Sequence, residues 1–343
     1  MKRRKLNVTH SFRNAIGMCV IIVAAFSQSV RADELKGDWS LELESGMPAW
    51  MSVQERDGKP LVYLRLHVGP VGPYDEVAEA GGRLNFALRK NRKTKHETTV
   101  DVGMEGGKLD GVIVRKFPDG SVKREPFTGT KIPPMPTSPP DLSKVRFGHP
   151  VSLFNGRDLT GWIPHKPKHD DEKINGWSVE DGVLKNTTPK TDFSATGAYA
   201  NLKTEAVFED FWLHIEFLVE EQRNSGVYLR GMYEAQVVDR DSRMQGIQGV
   251  GAIFGLIEPS KNAGRPGGEW QTYDLTLVNR HVTVVLNGEK VIDNQPVTGP
   301  TGGAVYTNPA EPGPIYLQGD HTNVSYRDIY LAPVVHVSGK ANE

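Results

Sequence analysis

The chain has 343 residues, with 41 basic and 42 acidic side chains, 36 glycines, 23 prolines and one cysteine. That single cysteine excludes intramolecular disulfides and Cys-ligated zinc, so stability must come from a sizeable apolar core. The near balance of charge turns acidic once the basic opening described next is set aside, which argues against nucleic acid or an anionic membrane as partner.

The first segment reads as an address. Lys2, Arg3, Arg4 and Lys5 form a basic opening, and residues 16–26 are an apolar run too short to span a bilayer. Val30-Arg31-Ala32 then offers a cleavage site before Asp33. The expectation is a signal peptide over residues 1–32, export to the periplasm or extracellular space, and no membrane insertion after cleavage. Cys19 lies inside this leader, so the mature chain has no thiol. The leader also takes six of the 41 basic residues and no acidic ones, leaving 35 against 42, a net charge near −7.

Residues 33–130 read as short strands, clearest at 39–43, 61–66, 84–88 and 112–114. Asp57-Gly58, Gly81-Gly82, Gly106-Gly107 and Asp119-Gly120 between them suit tight hairpins. A sheet of that size must close or be covered, which predicts a small β-barrel-like domain. The basic cluster Arg89, Lys90, Arg92, Lys93 and Lys95 reads as a solvated hairpin tip. Five prolines between Lys131 and Pro140 then mark a semi-rigid linker, assigned to residues 131–150.

Residues 151–335 form the predicted second domain. Trp177 to Lys185 turns at Asp181-Gly182, and His281 to Ile292 turns at Asn287-Gly288. Further strands are predicted at 212–219, 227–230, 233–238, 272–278, 314–318 and 325–331. With no sustained helical periodicity, the fold class is all-β: a barrel-like domain followed by a two-sheet sandwich or jelly roll. The loop from His165 to Asp171 contains metal-ligand residue types, but its lysines and proline mark a solvated loop. The glycine-rich stretch from Gly246 to Gly251 opens no helix, so it is no phosphate cradle.

Alternation assigns side chains to faces. Phe211, Leu213, Ile215, Phe217 and Val219 share a core face, opposite Trp212, His214, Glu216 and Leu218. Glu234 and Gln236 oppose Tyr233, Ala235 and Val237; Tyr228 and Arg230 oppose Val227 and Leu229; Tyr316 and Gln318 oppose Ile315 and Leu317, with His321 just beyond. Carboxylate, amide, guanidinium, imidazole and aromatic groups of this kind suit a sugar surface, although any exposed antiparallel sheet alternates polar and apolar residues.

The run Phe154-Asn155-Gly156-Arg157-Asp158-Leu159-Thr160-Gly161-Trp162 begins a series of matches to a known family. Trp177, Glu216-Phe217, Asn224-Ser225-Gly226-Val227-Tyr228-Leu229-Arg230, Glu234, Gln236 and Asp239 continue it. Glu269-Trp270, Asn287-Gly288, Gly313-Pro314-Ile315, Leu317-Gln318, His321 and Arg327 complete it. In this order the segment resembles the 3-keto-disaccharide hydrolase family. The resemblance implies a concanavalin-like jelly roll and cleavage of glycosides already oxidised at the sugar 3-position. It covers nothing before residue 140. Leu218, Gln271, Asp328 and the Gly319-Asp320 step between Gln318 and His321 depart from the family pattern.

A ketone at C3 acidifies the C2 hydrogen, so a base, an oxyanion donor and an acid for the leaving group are required. On this reading Glu216, Glu234 and His321 carry the proton transfers, while Arg230 and Gln236 hold the oxyanion. Tyr228 and Trp270 are sugar platforms, and Asn224, Gln318 and Asp239 are further substrate contacts. A divalent cation is a possible cofactor, and the partner is an oligosaccharide or glycoside. A non-catalytic glucan-binding module is the alternative use of the same face. Trp162 and Trp177 are expected in the core.

Overall fold

A computed structural model describes residues 32–66, 71–89, 95–165, 173–189 and 198–337. The leader through residue 31, the central part of the basic cluster (90–94) and residues 166–172 of the His165 loop lie outside these. Among the described residues, no helix is long and apolar enough to cross a membrane. The chain is all-β.

Eight antiparallel strands occupy residues 37–131. Their order runs Lys59–Leu66, Pro48–Arg56, Gly37–Leu43, Val122–Lys131, Lys108–Lys116, Glu97–Glu105, Arg83–Ala87, Val77–Ala80. Closure is nearly complete, because Val62 and Tyr74 exchange backbone hydrogen bonds of 2.9 and 2.7 Å and Leu64 N donates to Val71 O at 2.8 Å. Trp39, Met51, Val62, Leu64, Phe86, Val102 and Ile113 fill the interior. Each such buried side chain contributes roughly 1.5–3 kcal/mol.

Ile132 to Pro140 forms no strand, as its prolines dictate. The segment is nevertheless fastened. Arg280 Nη1 donates to Pro133 O at 2.8 Å, and Asn294 Nδ2 donates to Pro140 O at 2.9 Å.

The remaining strands make a jelly-roll sandwich of a nine-stranded and a five-stranded sheet. Val324–Val337 lies inside the larger sheet, paired with Phe211–Leu218 on one edge and Val183–Asn186 on the other. The smaller sheet runs Trp162–His165, Asn201–Thr204, Tyr316–Leu317, Asn224–Leu229, Tyr233–Val238. Leu213, Ile215, Phe217 and Tyr273 from one sheet meet Leu202, Val227, Ala235, Val237 and Leu317 from the other in one core. Trp162 and Trp177 join it, their indole N–H groups donating to Leu153 O and Ala200 O.

The hairpin at Asn287-Gly288 turns as its sequence demands, with φ of 53° and 81° at the two residues. Asn279-Arg280 makes a second two-residue turn, with φ of 49° and 62°, without any glycine. No residue-type signal marks it.

Candidate active site

The smaller sheet has one face in the core and one face outward, and the outward face floors a cavity of about 260 Å³. Register explains which side chains meet there. Tyr228 is directly opposite both Glu234 and Tyr316, and Gly226 is opposite Gln236. Asn201, Asn224, Gln318, Asp320 and His321 complete the wall, with Phe254, Gly302, Gly303 and Arg65 across from them.

Glu234 is 3% exposed. Burial pushes its carboxyl up to about 8, against a hydrogen bond from Tyr228 that acts the other way. The Tyr228 hydroxyl lies 2.9 Å from Glu234 Oε2 and 2.7 Å from Gly302 O. One hydroxyl proton cannot serve both acceptors, so the pair is satisfied when Tyr228 donates to Gly302 and a neutral Glu234 donates to Tyr228. Burial and hydrogen-bond count therefore agree that this carboxyl keeps its proton near neutrality.

Gly226 makes room for that carboxyl. A Cβ at this position would overlap Glu234 Oε1. Gly226→Ala should displace the acid and lower turnover about 100-fold, the scale expected for a misplaced catalytic group, as read by steady-state kinetics beside a thermal melt.

His321 Nδ1 and Asp320 Oδ1 are 2.6 Å apart. Burial would raise Asp320, but the hydrogen bond and charge of His321, helped by Lys173 and Asn201, hold its carboxyl below the usual value. With Nδ1–H directed at Asp320, the neutral ring carries its lone pair on Nε2, which makes it a base. Asn201 fixes the pair from below, its Oδ1 accepting from Gly319 N at 2.6 Å and Asp320 N at 3.0 Å.

The amides are buried in the cavity wall, Gln236 fully so. Among the described residues ten buried side-chain polar atoms have no hydrogen-bond partner, and four of them line this cavity: Arg65 Nε, Asn224 Oδ1, Gln236 Oε1 and Gln318 Oε1. Buried polar atoms are nearly always paired, so this concentration makes the cavity wall strongly polar. Gln236 Nε2 donates one of its two hydrogens to Gln248 O at 3.1 Å, which fixes the orientation of the amide.

Tyr228, Glu234, Asn224, Gln236, Gln318 and His321 thus meet as the sequence suggested. Four others do not. Glu216 lies on the outer face of the larger sheet, across the sandwich from Glu234, where Arg327 Nε donates to it at 2.6 Å. Alternation gave its face but not its sheet. Glu216→Gln should leave turnover within about twofold in steady-state kinetics, since its side chain lies on the opposite outer surface from the cavity and touches none of the lining residues. Trp270 shares that outer face, away from the cavity, and the Arg327 guanidinium covers one side of its ring at 4.0 Å. Arg230 follows the last residue of its strand, Leu229, and takes φ of 56°. The left-handed turn swings it off the strand alternation, and its Nη2 donates to Pro309 O and Glu311 O. Asp239 lies beyond the end of the Tyr233–Val238 strand and accepts from Gln222 N at 2.9 Å, holding two loops together.

Asn201, Tyr316, Asp320 and Arg65 were missed. Asp320 had a signal in plain view, beside His321. Arg65 had only its place opposite the core residues Val62 and Leu64. Among the described residues, no group of three or more His, Asp or Glu side chains converges as a divalent cation needs, so no step is assigned to a metal.

An all-β sandwich with a buried acid, an imidazole–carboxylate pair and buried amides around one cavity is a jelly-roll protein with a polar pocket. Residues 149–332, more than half of the chain, match the family described as the 3-keto-alpha-glucoside-1,2-lyase-like domain. The chain belongs to that family, which makes a carbohydrate its ligand class and glycoside cleavage its general chemistry. Among solved structures it is similar to a protein of Parabacteroides distasonis described as a glycosyl hydrolase, at 21% identity over 54% of this chain and 94% of that one, with a TM-score of 0.41. It is similar also to porphyranase B of Zobellia galactanivorans, at 10% identity over 60% of this chain and 100% of that one, with a TM-score of 0.34. No curated protein sequence matches it.

Proposed function

We propose that the protein cleaves glycosides whose sugar carries a ketone at C3, by elimination and rehydration. The observation that supports this is the pairing, in one cavity, of a neutral buried carboxyl with an Asp-held imidazole. An ordinary glycosidase flanks the bond with one protonated carboxyl and one ionised carboxylate that acts directly as nucleophile or water-activating base. Here the groups instead suit removal of an acidified C–H.

His321 Nε2 takes the C2 proton, and the electron pair moves into the C2–C3 bond, placing negative charge on the C3 oxygen. That charge falls within a wall holding the Arg65 guanidinium, the cavity's cation. Collapse of the enolate breaks the C1–O bond, and Glu234 gives its proton to the departing oxygen. Water then adds at C1 as the proton returns to C2, so the net change is hydrolysis. Asn224, Gln236 and Gln318 make polar the wall against which the ring lies.

Purified protein should release nitrophenol from a 3-keto-nitrophenyl glucoside and leave the unoxidised glucoside intact. Saturable sugar binding without release would sink the catalytic reading in favour of a binding module. Export is part of the proposal, and a mature N-terminus at Asp33 after secretion is its check.

A further inference from the structure

The Lys59–Leu66 and Pro48–Arg56 strands of the barrel each turn one face inward and one toward the sandwich. Val62 and Leu64 are core, as are Ala49, Met51 and Val53. Tyr63 and Arg65, with Trp50, Ser52 and Gln54, alternate with them, and register sets Trp50 beside Arg65 and Ser52 beside Tyr63. The next strand adds Asp38 opposite Ser52. This polar and aromatic face closes over sandwich loops to make a second cavity of about 420 Å³, roofed by Leu256 and residues 298–300.

The two cavities are neighbours. Arg65 lines both, Phe254 and Leu256 come from one loop, and Gly302-Gly303 follows Thr298-Gly299-Pro300 after one residue, Thr301. A Cβ on Gly302 would lie 3.5 Å from Arg65 Nη1, an ordinary contact, and one on Gly299 would lie 3.2 Å from the Trp50 ring, a tight one. The barrel is also held in place, since Ser40 Oγ and Thr307 Oγ1 are 2.8 Å apart.

Size decides what each can take. The inner cavity, about 260 Å³, is below the roughly 300–1,000 Å³ of sites that enclose a whole drug-sized ligand. It holds one sugar ring, and the group joined to C1 must lie elsewhere. An aromatic pair with hydroxyl, amide and carboxylate neighbours, at the inner cavity's mouth, has the chemistry for a second ring.

We propose that the seam between barrel and sandwich is the subsite for the departing sugar, so that barrel residues determine which leaving groups are accepted. The assignment rests on the proposed function, and its test separates the two. Tyr63→Ala and Gln54→Ala, both on the barrel's outward face, should lower kcat/KM for 3-keto-trehalose about tenfold more than for methyl 3-keto-glucoside. The scale is that of one lost ring contact. Equal losses on both glycosides, or none on either, would overturn the subsite while leaving the cleavage reading intact. If wild-type protein cleaves neither, the cleavage reading fails. The seam is then decided by calorimetric titration: trehalose should bind more tightly than methyl α-glucoside, and Tyr63→Ala should erase the difference. Equal affinity for both sugars in the wild type would end the proposal.

Discussion

Glu234→Gln is expected to abolish turnover and, above pH 8, to raise the melting temperature. A positioned general acid contributes about 10²–10⁴-fold to rate, and Gln cannot give up a proton. The stability effect has the opposite sign because the native carboxyl is held near 8 by burial, against an ordinary value of 4.5. The folded chain therefore keeps a proton that the unfolded chain releases. The stability that Glu234 contributes is fully present below about pH 4.5 and is lost as pH rises through about 8. Gln is neutral throughout and keeps a donor for Tyr228. The gap between variant and wild type should be near zero at pH 4 and open to a few kcal/mol at pH 9. Parallel melts across that range would show it. A wild type whose stability stayed flat relative to the variant would mean that Glu234 is ionised in the fold.

The second large effect is expected at Asp320. Asp320→Asn removes the carboxylate that orients His321 and stabilises the imidazolium formed when the ring takes a proton. The kcat value should fall about 10²–10⁴-fold with KM changed only a few-fold, as for other carboxylate–imidazole pairs. His321→Ala should fall as far, and the double variant no further, because the two side chains act as a unit. Additive losses would show that Asp320 serves the substrate directly rather than through the ring.

Much of the fold was legible. Alternation at 211–219 and 233–238 and the Asp-Gly and Asn-Gly turns fix strands and hairpins locally, and local signals are what a sequence states most clearly. The site was legible where a residue lay inside a strand or its hydrogen-bonded continuation: Tyr228, Glu234 and Gln236 sit where period two puts them, and so does Gln318, one residue past Tyr316–Leu317, because its N–H donates to Gly226 O at 2.9 Å. Arg230 was misread because its strand stops one residue short and the chain turns left-handed. Glu216 was misread for a different reason. Period two separates the faces of one strand but is blind to which of two stacked sheets the strand joins, and that choice put Glu216 and Glu234 on opposite outer surfaces. Arg65 depends on how a barrel strand meets loops more than 180 residues later, a contact that no local pattern encodes. Asp320 looked like an interruption of the family motif and is instead the partner of the histidine beside it.

The two sheet systems make unequal demands on the growing polypeptide. The barrel joins Gly37–Leu43 to Val122–Lys131, so its own pairings are complete once residue 131 has emerged. The sandwich has its inner strand, Val324–Val337, supplied more than a hundred residues after the Phe211–Leu218 strand it flanks. Distant pairing of this kind slows assembly, since loop closure precedes any reward in contacts. Shortening the chain before residue 324 would therefore cost the larger sheet its middle rather than its rim. The Phe211–Leu218 and Val183–Asn186 strands would then each show an unmatched edge to other chains, a route to aggregation.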